Sequence, residues 1–141
     1  MPPTLEEYET FIYALPARYP AIQHALLNFI RLGPLTATVR AEIFFPRDVV
    51  LRVRQTLDFA EGFIQSYSYE VYQGEEKLYW YDSWPHPQIP ELAATDPHHK
   101  HVPPNIKHNR IPAPEMSFAR PNLPVLIHEV ENLIKSTESG S

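Results

Sequence analysis

Residues 96–110 read DPHHKHVPPNIKHNR and hold four histidines, two lysines and one arginine. Histidine transfers protons near neutral pH, and a nearby cation stabilises the charge that develops on a phosphate. This composition suits RNA cleavage in which one imidazole takes the proton of the 2′-hydroxyl and another protonates the leaving oxygen. The candidates for proton transfer are His98, His99, His101 and His108 with the upstream His86, and those for the phosphate are Lys100, Lys107 and Arg110.

A metal site is the first alternative. In an extended chain, His99 and His101 point the same way with Cα atoms about 7 Å apart, close enough to share one ion. Zinc is the metal expected where histidine is available and cysteine is absent. The spacing matches no closed zinc motif, so the sequence assigns no metal ligands and keeps zinc only as an alternative. Further ligands would have to come from His86, His98, Asp82 or Asp96.

The aromatic residues just before this segment allow further interpretations of its function. Exposed rings could stack RNA bases, so Tyr81 and its neighbour Asp82 are candidate substrate contacts. The plainer interpretation is that these aromatics pack within a sheet and that the histidines belong to a solvated polar loop. A proline-rich, aromatic-flanked segment can also form a non-catalytic surface for another protein. The aromatic residues are Tyr79, Trp80, Tyr81 and Trp84.

The overall composition excludes several classes of function. A chain of 141 residues fits a single domain, predicted over residues 1–141. The absence of cysteine excludes disulfides, thiolate zinc sites and thiol nucleophiles. The net charge of −5 argues against tight non-specific binding of nucleic acid. No apolar run approaches the roughly 20 residues of a membrane span, and no basic secretory signal opens the chain, so we expect a cytoplasmic protein.

Helical periodicity dominates the first third of the chain. Apolar residues recur at helical spacing after Thr4, which suits a helix N-cap. Pro20 predicts the first turn of a second helix, and Gly33-Pro34 predicts its end. The apolar positions are Leu5, Tyr8, Ile12 and Leu15 in the first helix and Ile22, Leu26, Phe29 and Ile30 in the second.

Alternation with a period of two follows and predicts a four-stranded antiparallel meander with one solvated face. Arg52 and Arg54 lie on the polar face, where they would meet a phosphate if the histidine segment crossed that side. The strands are TATVRAEIFF, VVLRVRQTLDF, FIQSYSYEVY and KLYWYD.

The remainder of the chain predicts an extended segment and a closing helix. Ten of the 16 prolines fall within residues 85–124, so we expect residues 85–121 to cross the domain in extended form. A helix capped by Asn122 should follow, and residues 136–141 should fray. The predicted fold is therefore α+β, with N-terminal helices packed on the sheet.

The motifs YSYEVYQGEEKLYWYDSWPHP and DPHHKHV resemble the TumE-type family of prokaryotic toxin–antitoxin proteins. The resemblance covers about residues 50–102. It implies a toxin-like protein encoded beside an antitoxin, often one of helix-turn-helix type; together with the local chemistry it suggests an RNA-directed nuclease, and a homodimer is a further expectation. The matching residues are Tyr67, Ser68, Tyr69, Tyr81, Asp82, Pro85, His86, Pro97, His98, His99, Lys100 and His101.

Four features depart from the family's pattern, one of which is that a histidine of its H-H pair is missing beside His86. Glu70 stands where the family has a histidine, Trp80 where it has an arginine, and Ser83 where it has an asparagine. If the missing arginine and histidine matter for activity, the resemblance implies a weakened relative.

Overall fold

A seven-stranded antiparallel sheet in the order β1 to β7 forms the centre of the computed structural model. The structure describes residues 2–83, 97–104 and 109–139, without the side chains of 137–139. The α+β class is confirmed, whereas the expected number of four strands is wrong. The strands are β1 His24–Arg31, β2 Thr36–Phe44, β3 Val49–Asp58, β4 Ile64–Gln73, β5 Glu76–Asp82, β6 His99–His101 and β7 Arg110–Pro112, and the helices are α1 Leu5–Tyr13, α2 Leu15–Arg18 and α3 Leu123–Ser139.

The first helix forms as its sequence predicts. The Thr4 hydroxyl accepts a hydrogen bond from the Glu7 backbone N–H, and the Glu7 carboxylate accepts one from the Thr4 backbone N–H. This reciprocal pair satisfies two N–H groups that the start of a helix leaves without partners. The helix buries Leu5, Tyr8 and Ile12 against the sheet.

The predicted second helix is wrong, because residues 24–31 form β1. All eight residues of this segment pair in antiparallel register with β2 across the Gly33–Pro34 turn. An apolar run of this length fits a strand as well as a helix, and the pairing with β2 decides between them. Burial also contradicts the helical stripe, because Phe29 is buried while Leu26 and Ile30 are exposed.

The proline-rich segment contributes two strands that its composition did not predict. The three residues of β6 pair with β5 on one side and with β7 on the other. Pro112 is tolerated in β7 because that strand forms the edge of the sheet. The closing helix α3 forms where the sequence predicts it and buries an apolar stripe that includes Leu126 and Ile127. It runs to Ser139, within the region 136–141 where the sequence predicts fraying.

A chain of buried hydrogen bonds joins both long helices to the same face of the sheet. The Tyr8 hydroxyl donates to the Gln55 side chain over 2.7 Å. Gln55 donates to the Tyr69 hydroxyl over 2.6 Å, and Asn122 donates to the same hydroxyl over 3.1 Å. The chain therefore runs from α1 through β3 and β4 to the start of α3. Every helix in the described part of the chain is too short or too polar to cross a membrane.

Replacing Gln55 with alanine should destabilise the protein by about 1–3 kcal/mol, because the buried Tyr8 and Tyr69 hydroxyls lose their shared partner. Urea unfolding of the full chain measures this free energy. Gln73→Ala is the matched control, since Gln73 makes an exposed hydrogen bond to the Arg47 carbonyl. Equal losses in the two variants would contradict the importance of the buried chain.

Candidate functional site

The pairing of β5 with β6 places the histidine motif on two opposite faces of the sheet. Side chains alternate along a strand, so His99 and His101 lie on one face and Lys100 on the other. The histidines and the lysine, which the sequence predicts to form one cluster, therefore lie on opposite faces of the sheet. The cross-strand partners are Trp80 with His101, Tyr81 with Lys100 and Asp82 with His99.

The sheet face opposite α1 and α3, which we call the open face, carries a continuous polar row. Arg40 of β2 pairs with Arg54 of β3, and Arg54 pairs with Ser68 of β4. Ser68 pairs with Asp82, which pairs with His99. Residues distant in sequence thus lie in one line across five strands.

Asp82 is held in place on this face by two aromatic neighbours. Its carboxylate lies 3.0 Å from His101 Nε2 and accepts a hydrogen bond from Trp80 Nε1 over 3.2 Å. The Trp80 ring stacks on the His101 ring with centroids 3.9 Å apart. His101 is buried, whereas Asp82 is partly exposed and lines a groove. The carboxylate, rather than the imidazole, therefore faces incoming molecules.

Arg40 and Arg54 form a like-charge pair in the same groove. They lie directly opposite each other on neighbouring strands, and both are exposed. Among the described residues neither has an acidic partner, in contrast to Arg52, whose Nε lies 3.4 Å from the Glu42 carboxylate. The groove has a volume of about 500 Å³ and also contains Asp82. Two juxtaposed guanidinium groups make it suited to an anion.

Lys100 and Tyr81 occupy the helix-covered face. The Tyr81 hydroxyl donates to Glu129 Oε2 over 2.8 Å, and Lys100 Nζ lies 3.3 Å from the same oxygen. Burial, followed by the charge of Glu129, raises the pKa of Tyr81, so its hydroxyl stays protonated as a donor. This cluster attaches β5 and β6 to α3, so Lys100 and Tyr81 help to hold these two strands in position.

His98 lies on the helix-covered side as well. Its Nδ1 is 2.6 Å from the Tyr67 hydroxyl, and its ring packs on Phe118 with centroids 4.6 Å apart. Burial, followed by the nearby His99 and Arg120, lowers the pKa of His98. The ring is therefore neutral at neutral pH and does not share a surface with Asp82.

Of the remaining predicted site residues, Arg110 lies in the described part of the chain and several others do not. Arg110 pairs with His101 across β6 and β7, so the register puts it on the open face. The described residues contain no group of three or more His, Asp or Glu side chains that could hold a metal ion. The predictions for His86, Lys107, His108, Asp96 and Trp84 lie outside the described residues.

Arg40 is the residue that the sequence reasoning missed. Its position on the polar face of a strand followed from alternation, but polar-face arginines are usually solvated or paired. Only the register of β2 against β3 shows that it lies opposite Arg54. Trp80 and Glu70, the departures noted above, are both engaged here, since Trp80 binds Asp82 and Glu70 forms an ion pair with Lys77.

Comparison with known families matches the family model described as Toxin TumE to residues 12–134, which is most of the chain. The comparisons with curated proteins and with solved structures find no match.

Acidification should destabilise the protein partly through His98. Its pKa is lower in the folded than in the unfolded chain, whose usual value is about 6.5, so the unfolded state binds more protons. The stability associated with neutral His98 is fully present above the pKa of the unfolded chain. It is lost as the pH falls toward the lower pKa of His98 in the folded protein. Melting temperatures measured between pH 7 and 5 should fall less in His98→Gln than in the wild type.

His128→Gln is the control for this measurement, because His128 is largely exposed. An equal pH dependence in the wild type and in His98→Gln would show that His98 does not contribute.

Proposed function

Because the chain belongs to the Toxin TumE family, we propose that it acts in the cytoplasm as the toxin-like component of a prokaryotic toxin–antitoxin module. We further propose that it is an RNA-directed nuclease whose substrate lies on the open face. The partner is then an antitoxin, of the helix-turn-helix type that the family resemblance implies.

The observation that carries this proposal is the position of the arginine pair in one row with Asp82. Like charges on directly paired residues destabilise a sheet, so the pairing of Arg40 with Arg54 has a cost that a bound anion would remove. Asp82 lies two strands from Arg54, about 10 Å away at the usual strand spacing. An arginine side chain and one nucleotide can span that distance.

The chemistry assigned to this row is an internal transfer at phosphorus. The Asp82 carboxylate takes the proton of the 2′-hydroxyl, and the resulting oxygen attacks the adjacent phosphorus. The bond from phosphorus to the 5′-oxygen breaks, and that oxygen takes a proton from water. The products are a 2′,3′-cyclic phosphate and a 5′-hydroxyl, and the two guanidinium groups stabilise the extra negative charge on the phosphate.

The histidines of β6 act through Asp82 in this mechanism. His101 is a positioning residue, because its Nε2 holds the carboxylate while its ring is buried under Trp80. His99 completes the row beside Asp82. Lys100 keeps β6 in register by binding Glu129, so we assign it no contact with phosphate.

Asp82→Asn should lower kcat/KM for a labelled single-stranded RNA by about 10²-fold or more, because an amide cannot accept the proton. Purified full-length protein and a gel-based cleavage assay measure the effect. His101→Gln should lower kcat more than it raises KM and should alter the pH profile. A wild-type protein that cleaves no RNA, or an Asp82→Asn variant of full activity, would reject the nuclease. Cleavage lost in EDTA and restored by zinc would reject the metal-free step.

Replacing Arg40 and Arg54 together with glutamine should weaken RNA binding and also raise stability. Two lost phosphate contacts should lower the slope of log affinity against log salt by about 1.4, at about 0.7 per contact with a single strand. Relief of the repulsion should stabilise the fold by about 0.2–1 kcal/mol. Fluorescence anisotropy and urea unfolding measure the two effects.

The matched control replaces Arg52 and Glu42 with glutamine, which removes a neighbouring pair that neutralises itself. If the control variant loses as much RNA affinity and salt dependence as the Arg40 and Arg54 variant, the arginine pair is not the phosphate site.

A further inference from the structure

Exposed apolar side chains line the open face of β1. Leu26 is 55 % exposed, Ile30 is 46 % exposed, and Leu32, just beyond the strand, is 65 % exposed. These residues recur at even positions and therefore lie on the same side of the strand. We call them the β1 apolar strip; from Leu26 to Leu32 it is about 20 Å long at the usual rise of a strand.

The β1 apolar strip lies directly beside the arginine pair. Asn28, midway between Leu26 and Ile30, pairs with Arg40. A groove of about 460 Å³ contains Leu26 together with Arg40, Arg52 and Arg54. One surface thus combines an apolar wall with cations, of which Arg40 and Arg54 have no acidic partner among the described residues. A nucleic acid would use the arginines but would leave the leucine and isoleucine side chains in water.

Helix α1 contacts one end of the outer edge of β1. The Phe29 backbone N–H donates to the Tyr13 hydroxyl over 3.1 Å, and Arg31 forms an ion pair with Glu9. Both partners belong to α1, which therefore lies against this end of the β1 edge. The β1 apolar strip is on the face of the sheet rather than on its edge, so a partner that covers these side chains lies on that face.

We propose that the β1 apolar strip and the arginine pair dock an acidic amphipathic helix of the antitoxin. Its apolar stripe packs on Leu26, Ile30 and Leu32, and carboxylates on its flank bind Arg40 and Arg54. About 13 residues of helix match a strip of this length. This inference rests on the proposed function, because it makes the antitoxin compete with RNA for the same arginines.

The test uses the full-length chain and the purified protein encoded by the adjacent gene, with the dissociation constant measured by calorimetry. Leu26→Asp combined with Ile30→Asp should weaken binding by about tenfold or more, because it places negative charge against the acidic helix. Leu26→Gln combined with Ile30→Gln tests the same surface without new charge, and circular dichroism checks that both variants fold. Val125→Asp is the control, since Val125 is 37 % exposed on α3 and should not matter.

Competition provides the second measurement. A short single-stranded RNA should raise the apparent dissociation constant of the adjacent gene's product in the wild type. No binding of that product, unchanged binding by both strip variants, or an equal loss in Val125→Asp would overturn the proposal. Simultaneous binding of RNA and partner would overturn the shared site. These two measurements follow binding and not cleavage. A protein that binds its partner through Leu26 and Ile30 but cleaves no RNA in the separate assay would therefore reject the nuclease activity and leave the docking surface standing.

Discussion

The buried hydrogen-bond chain from Tyr8 through Gln55 and Tyr69 to Asn122 is the constraint on which the architecture depends. A buried amide or hydroxyl without a partner costs more free energy than a typical hydrogen bond contributes. The chain has members on α1, β3, β4 and the residue before α3, so each element satisfies a polar group of another. Both long helices are thereby fixed on one face of the sheet, whereas Arg40 and Arg54 are exposed on the other face.

The sequence predicted those parts of the fold in which the spacing of apolar residues fits only a strand or only a helix. The alternation of Val39, Ala41 and Ile43 with Arg40 and Glu42 identified β2 and its buried face, and it is confirmed. The apolar spacing of α1 was equally informative. The segment containing Leu26, Phe29 and Ile30 fitted two periods, and only pairing with β2 selected the strand. The strands β6 and β7 are too short to show a period, and prolines flank or end them.

The candidate site was predictable in its residue types but not in its arrangement. The motif around His99 drew attention to β6, yet residues that cluster in the sequence lie on two sides of the sheet, because alternate residues of a strand take opposite faces. Pairing across four strands then associates Asp82 with Arg40 and Arg54, which lie 42 and 28 positions earlier in the numbering. No pattern within a short stretch of sequence shows which residues of neighbouring strands pair with each other. The same pairing explains how a chain with a net charge of −5 presents a local cationic surface.

The hydroxyl of Tyr13 has a consequence for the physical behaviour of the protein in a crowded cell. A long flat edge strand is a template on which identical chains can add without limit, producing fibrils. The Phe29 N–H is already engaged by Tyr13, and at the far edge β7 has only three residues and ends in Pro112. In the described part of the chain, each edge of the sheet thus carries a feature that disfavours the addition of a strand: a backbone N–H already bonded to a side chain at one edge and a proline at the other.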